Sequence, residues 1–114
     1  MNGAGTGSIT LGNANTGAAV TQLRVGADIN NNIVVSAAAP ASAAGIATYQ
    51  ALQTLGGSLQ VDRPVTLFGA SDRLTFTGAW SGAGDITISP GPGGGQNRVT
   101  HDSVANTWTG NMTI

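Results

Sequence analysis

Two Asp-Arg dipeptides are the nearest approach in this sequence to a catalytic or metal-binding constellation. They are Asp62-Arg63 and Asp72-Arg73, and the chain has no Glu and no Lys. A Ca²⁺ site or a glycan-cleaving site needs several carboxylates on neighbouring elements, with a base beside the substrate. The Asp residues of this chain instead stand singly between apolar runs. We therefore expect them to cap turns and to pair with Arg at the surface, and we predict no enzyme activity and no metal site.

His101 is the only histidine, and one imidazole alone forms neither a catalytic triad nor a multi-histidine metal site. Its alternation with Val99 predicts a structural position near the interior, close to one end of the fold. The glycine clusters at residues 3–7 and 82–84 lack the Gly-Lys-Ser/Thr sequence of a phosphate-binding loop and are interpreted as turns. No cofactor is predicted.

Trp80 and Trp108 are the candidate ligand-binding residues. Their indole rings could stack on sugars, which makes surface glycans the candidate ligand. The two residues stand 28 positions apart, close to one repeat of the sequence described below, so we expect them to be neighbours. Packing against each other at a corner of the fold is the alternative role for the pair.

A column of threonines is a third candidate site, because flat solenoids that bind ice present regular threonine ladders. Thr10, Thr87 and Thr113 occupy equivalent places in the repeat, but Val34 and Gln60 interrupt their column. Ordinary exposed strand positions explain these threonines, and ice binding is not predicted.

The composition excludes several classes of protein. Only 8% of the residues are charged, the formal net charge is -1, and there is no cysteine. Without Lys and Glu the chain is a poor candidate for a helical bundle, and its charge argues against binding to nucleic acid. No apolar stretch approaches the roughly 18 residues of a membrane span, so no membrane insertion is predicted.

Short alternating apolar runs recur along the chain and predict strands. One set begins at Ile9, Ile33, Leu59, Ile86 and Met112, and a second set begins at Leu23, about Tyr49, Leu74 and Val99. The steps are close to 26 residues, a period that is typical of repeat architectures. In the first set the two outer residues of each run are apolar, which predicts that they point inward and stack coil on coil.

These patterns predict an all-β fold, a parallel β-helix (β-solenoid) of about four to five coils of roughly 26 residues. A β-sandwich is the alternative if the strands form antiparallel hairpins. The Ala-rich segment 37–55 is the best helical candidate, and we predict a loop there followed by a strand near 46–52. Residues 1–114 form a single segment, which we interpret as a fragment or repeat unit of a longer protein.

The C-terminal third resembles the autotransporter-associated β-strand repeat of bacterial surface proteins. Residues 105–114, ANTWTGNMTI, resemble its core ANTYTGGTTI, with Trp108 in place of Tyr and Asn111 in place of Gly. Residues 74–86, LTFTGAWSGAGDI, resemble the approach to that core, and residues 11–17, LGNANTG, resemble its turns. The resemblance implies a right-handed, extracellular parallel β-helix without catalytic residues.

Three functions are compatible with these observations. The leading one is a stiff stalk, spacer or adhesin segment on the bacterial cell surface. Its open coils would stack on neighbouring repeats, or on copies of itself to form fibres. The alternative is a carbohydrate-binding module that uses Trp80 and Trp108. A fragment of a β-helical glycan lyase or hydrolase is the third reading.

Overall fold

The computed structural model describes residues 5–48, 52–69, 73–89, 98–103 and 105–114. These residues form twelve short strands and no helix. The strands are β1 (Ile9–Leu11), β2 (Thr21–Val25), β3 (Ile33–Val35), β4 (Ala44–Thr48), β5 (Gln53–Leu55), β6 (Leu59–Val61), β7 (Val65–Phe68), β8 (Arg73–Phe76), β9 (Trp80–Gly82), β10 (Ile86–Ser89), β11 (Arg98–His101) and β12 (Met112–Thr113).

The strands belong to three sheets, and every pairing among the described strands is parallel. Sheet A has the order β1-β3-β6-β9, sheet B the order β12-β10-β7-β4-β2, and sheet C the order β11-β8-β5. The chain visits the three sheets in turn, so it winds as a β-solenoid of about four turns of about 23 residues. The predicted fold class is confirmed, and parallel pairing throughout excludes the β-sandwich.

Aliphatic side chains form continuous columns inside the solenoid. Alternate residues of a strand face opposite sides of a sheet, and the inward ones are stacked in register by the parallel pairing. In sheet B one such column is Leu23, Ile46, Leu67 and Ile88, whose two central members are fully buried. In sheet A the column is Ile9, Ile33, Leu59 and Trp80. Burial of these columns is the main favourable contribution to folding.

The uniform period of 26 residues is wrong beyond the third coil. Ile9, Ile33 and Leu59 stack as predicted, but the next residue in their column is Trp80, 21 positions after Leu59. Ile86 and Met112 belong to sheet B, where Ile86 stacks on Val65.

The second predicted set is also divided between sheets. Leu23 lies in sheet B, whereas Leu74 and Val99 pair in sheet C, and Tyr49 lies outside the described residues. Strands of the same alternating pattern occur on all three sides, so the spacing alone did not assign them to a side.

The corners between sheets A and B explain why the coil length varies. The first two are long, at residues 12–20 and 36–43, and the next two have three residues each, at 62–64 and 83–85. The long corners lie against each other on one side of the solenoid. Within the segment 37–55, the predicted loop is the corner 36–43, and the strand β4 starts at Ala44, two residues before its predicted start. Residues 49–51 lie outside the description.

Asx side chains connect successive coils at several corners. Asp28 Oδ1 accepts a hydrogen bond from Thr54 N at 2.7 Å, and Asn32 Oδ1 accepts one from Ser58 N at 3.0 Å. Near the last coil, Asp85 Oδ1 accepts one from Asn111 N at 2.9 Å. Each bond joins residues 26 positions apart. Asp28 and Asp85 lie between strands, as predicted, but their carboxylates bond backbone N–H groups of the next coil instead of capping their own turns.

Candidate functional site

An aromatic cluster fills the interior of the last full coil, and it contains both predicted ligand-binding residues. Trp80 is its centre, with the Trp108 ring centroid at 6.0 Å and nearly perpendicular. The Phe76 ring lies at 5.3 Å, also edge-on, and His101 stacks on Trp80 at 4.1 Å with an interplanar angle of 13°. Edge-to-face and stacked rings at these distances are favourable packing geometries. The two tryptophans are therefore neighbours, as predicted.

Burial distinguishes the two tryptophans. Trp80 is only 2% exposed, and its Nε1 has no hydrogen-bond partner among the described residues. Trp108 is half-buried, and its Nε1 donates to Gly84 O at 2.8 Å. A sugar ring needs an accessible indole face. Trp80 presents none, so only Trp108 could contribute such a face.

His101 occupies the predicted half-buried position near the end of the fold. Its Nε2 lies 3.4 Å from Gly78 O and its Nδ1 lies 3.4 Å from Asn106 Nδ2. Asn106 in turn accepts a hydrogen bond from Trp80 N at 2.8 Å and donates to Ser103 O at 3.2 Å. The imidazole thus links sheet C to the segment that follows β11.

A buried arginine, Arg63, forms four side-chain hydrogen bonds to described residues. Arg63 was expected at the surface, but it is 4% exposed. Its Nε donates to Ser36 O at 2.8 Å and its Nη1 donates to Ser42 O, the two ends of corner 36–43. Its Nη2 donates to Leu11 O at 3.2 Å and to Thr21 Oγ1 at 3.0 Å, the two ends of corner 12–20.

Arg63 therefore holds both long corners against the third coil. A guanidinium suits this position because its planar fork carries five donors in fixed directions. Gly12 makes room for it: a Cβ at this position, where φ is 91°, would lie 2.9 Å from Arg63 Nη2 and 2.7 Å from the Ala39 Cβ. The alternation of residues 59–67 indicates that the side chain at position 63 points inward. Arg63 shares the inward parity of Val61 and Val65 on either side of it.

The remaining acidic residues do not gather into a site. Asp62 accepts a hydrogen bond from Gln60 Nε2 at 2.6 Å, and Asp72 lies outside the described residues. Within the described ranges, no group of three or more His, Cys, Asp or Glu residues could hold a metal ion. No helix in that part of the chain is long and apolar enough to cross a membrane.

The outer face of sheet B carries a threonine column that contains Thr87 and Thr113, two of the three predicted members. Thr87 pairs with Thr66 on one side and Thr113 on the other, so these three are consecutive. Thr10 belongs to sheet A instead. A groove of about 180 Å³ opens beside Thr66 and Thr87, next to Pro40 and Pro64.

Neither protein-family models, nor curated proteins, nor solved structures match this chain. The β-solenoid and the chemistry of its surfaces are therefore the basis for any functional assignment.

Proposed function

We propose that this chain is a structural segment of an extracellular bacterial surface protein, a rigid spacer whose end coils stack on neighbouring repeats or on other copies. The observation that carries the proposal is the set of continuous aliphatic columns, which ends in exposed apolar side chains at the last coil. Met112 is 45% exposed and Ile114 is 92% exposed. Met112 stacks on the buried Ile86, so another coil placed on it would extend the same column.

The edges of the described sheets support the same proposal. In sheet B the outermost strands are β2 and β12, and at one end of sheet A the outermost strand is β1. At the other end of sheet A residues 106–109 already cover β9, because Trp80 O accepts hydrogen bonds from Thr107 N and Trp108 N. An outermost strand presents backbone N–H and C=O groups that a further parallel strand can pair with. A further coil with the same three-sided shape would meet all three sheets at the same time. The resemblance of residues 74–114 to an autotransporter repeat supports the surface location.

The dimensions explain why stacking is needed for a rod. The chain measures 32 × 27 × 27 Å, so one copy alone is nearly as wide as it is long. Each additional coil adds about 4.8 Å along the axis. Length would therefore come from joining solenoids end to end, as in other quasi-one-dimensional repeat proteins.

Size-exclusion chromatography with light scattering, over a range of concentrations, tests this proposal. We expect the molar mass to grow with concentration, and Met112→Asp to reduce that growth, because a carboxylate would be buried unpaired at the stacked column. Thr113→Asp is the matched control, since its outward side chain in the same strand leaves the column unchanged. A mass of one chain at every concentration, or equal effects of the two variants, would contradict stacking between copies.

The second candidate function is a carbohydrate-binding module. Of the two predicted ligand-binding residues, only Trp108 has a partly exposed ring that a sugar could contact. The half-buried ring of Trp108 packs edge-to-face against Trp80, and the hydrogen bond from its Nε1 to Gly84 O fixes its orientation. A rigid, partly exposed indole is a common platform for sugars. Trp108→Phe should then retain part of any glycan affinity that Trp108→Ala abolishes, which a glycan-array measurement would reveal.

A further inference from the structure

The groove on the outer face of sheet B results from the change in corner length. The corner 36–43 of the second coil has eight residues, whereas the corner 62–64 of the third coil has only three. The longer corner therefore forms a ledge beside the first residues of β7 and β10. Because Arg63 fixes both ends of the longer corner, the ledge is held in place by buried hydrogen bonds.

The lining of this groove combines apolar walls with hydroxyl groups. Pro40, Ala43 and Pro64 are exposed and form the apolar ledge. Thr66 and Thr87 also line the groove, and neither hydroxyl is hydrogen-bonded to a described residue. The threonines are register partners on adjacent strands, which places them about 4.8 Å apart. Among the residues that the structure describes, no charged side chain lines the groove.

An aromatic ring continues the surface on the same sheet. Phe68 follows Thr66 by two residues in β7, so it faces outward about 7 Å further along the strand. It is half-buried, because its ring lies over Gly45, where a Cβ would come within 3.1 Å of Phe68 Cε2. The absence of a side chain at Gly45 thus leaves room for the ring.

We propose that this surface, named the sheet B groove and defined by Pro40, Pro64, Thr66, Thr87 and Phe68, binds a neutral oligosaccharide. A sugar ring has an apolar face of C–H groups and a rim of hydroxyls. The proline and phenylalanine rings match the former and the threonine hydroxyls match the latter. The absence of charge in the lining disfavours an anionic glycan, whose carboxylates would lack a cationic partner.

A peptide strand fits this surface less well than a sugar does. Peptides that add to a sheet use the free backbone groups of an edge strand. The strand under the groove, β7, is paired on both sides, with β4 and with β10. Its main chain therefore offers no edge, and recognition must come from side chains.

The size of the groove predicts weak binding that increases with ligand length. Its volume of about 180 Å³ is below the roughly 300 Å³ at which pockets begin to enclose a drug-sized ligand. One sugar unit would occupy the groove, and further units would extend over Phe68. This function goes beyond the structural role and does not depend on stacking between copies.

Titration of the isotope-labelled protein, followed by amide chemical shifts, tests the proposal. The probes are hexasaccharides of β-1,4-linked glucose, xylose, mannose and N-acetylglucosamine, with hexagalacturonate as the anionic comparison. We expect one neutral series to shift the amides of β7 and β10, with the hexasaccharide binding more tightly than the disaccharide.

Three variants locate the site. Thr66→Val and Thr87→Val remove a hydroxyl without changing the shape, and each should weaken binding about five- to tenfold, the effect of one lost hydrogen bond. Thr75→Val is the matched control, because Thr75 faces outward on sheet C and should leave the affinity unchanged.

Four results would overturn the proposal. These are no shift with any neutral probe, preference for hexagalacturonate, equal weakening by Thr75→Val, and loss of binding only on Trp108→Ala. The last result would place the ligand at the aromatic cluster instead. The light-scattering experiment is separate, so failure of the stacking proposal and failure of this site are distinguished.

Discussion

At the scale of single residues, Arg63 illustrates how a polar side chain can organise an otherwise aliphatic solenoid. Its guanidinium contacts both ends of two corners that lie one and two coils earlier in the chain. A surface Asp-Arg pair would contribute little to stability because solvent screens it. A buried guanidinium bonded to backbone carbonyls contributes more, since removing it leaves those acceptors unpaired.

We expect Arg63→Met to lower the free energy of unfolding by about 2–4 kcal/mol, because buried carbonyl groups would lose their donors. Arg63→Lys should be intermediate, since one ammonium cannot reach all four acceptors. Urea denaturation measures both values. Gln60→Met provides the control, because Gln60 is exposed and, among the described residues, its side chain bonds only Asp62. If Arg63→Met were as stable as this control, the hydrogen bonds of Arg63 to the two corners would not contribute to stability.

At the scale of the elements, close approach of the backbone at the corners between sheets C and A requires glycine. A Cβ at Gly78 would lie 2.0 Å from Gly57 O, and a Cβ at Gly57 would lie 2.1 Å from Asn31 O. These glycines stack in successive coils. A Cβ at Gly57 or Gly78 would force the coils apart and lengthen the ladder bonds on both sides.

Gly78→Ala should therefore destabilise the protein by more than about 2 kcal/mol, because its contact is with backbone and cannot be relieved by a rotamer change. Gly26→Ala is the matched control, as a Cβ there meets nothing within 4 Å. Its effect should lie within about 0.5 kcal/mol. Thermal unfolding of the two variants compares them, and equal melting temperatures would contradict close coil contact at Gly78.

The hydrogen bonds from Asp and Asn side chains to the next coil lead to a second prediction at this scale. Asp85→Ala removes the acceptor for both Asn111 N and Asn111 Nδ2, so we expect a loss of about 1 kcal/mol, as for other capping residues. Asp85→Asn keeps one acceptor oxygen and should recover most of this loss. Chemical denaturation is again the measurement. No recovery with Asn would indicate that the charge, rather than the hydrogen bond, matters at this corner.

At the scale of the whole molecule, each coil contacts mainly the coils before and after it. Coils in the middle are paired on both sides, whereas β1 and β12 are each paired on one side only within the described sheets. Stability should therefore be highest in the third coil. Arg63 bonds the third coil to the two coils before it. The aromatic cluster connects the third coil to the coil after it, through the contact of Phe76 with Trp80.

Native-state hydrogen exchange should reveal this gradient. We expect the slowest exchange in β6 and β7, and faster exchange by at least about tenfold in β1 and β12, because opening an end coil breaks one interface rather than two. Arg63→Met should accelerate exchange in β1 and β2 while leaving β12 unchanged. Uniform protection along the chain would indicate a single cooperative unit and would contradict the prediction.

The sequence by itself determined the class of fold and the direction in which most side chains point. Alternation of apolar and polar residues marks a strand with one buried face, and this signal is local, so β3 and β6 were predicted at their observed positions. It also predicted that Trp80 and Trp108 are neighbours, because 28 residues is close to one coil.

Only the tertiary structure decided which strands share a sheet. The coil length depends on the corners, which range from three residues to nine, and a corner's length has no periodic signature. For this reason Ile86 was placed in the column of Leu59, and Thr66, the partner of Thr87 on β7, was missed. The burial of Arg63 and Trp80 likewise depends on corners and coils that are distant in sequence, so their surroundings exist only once the chain has wound upon itself.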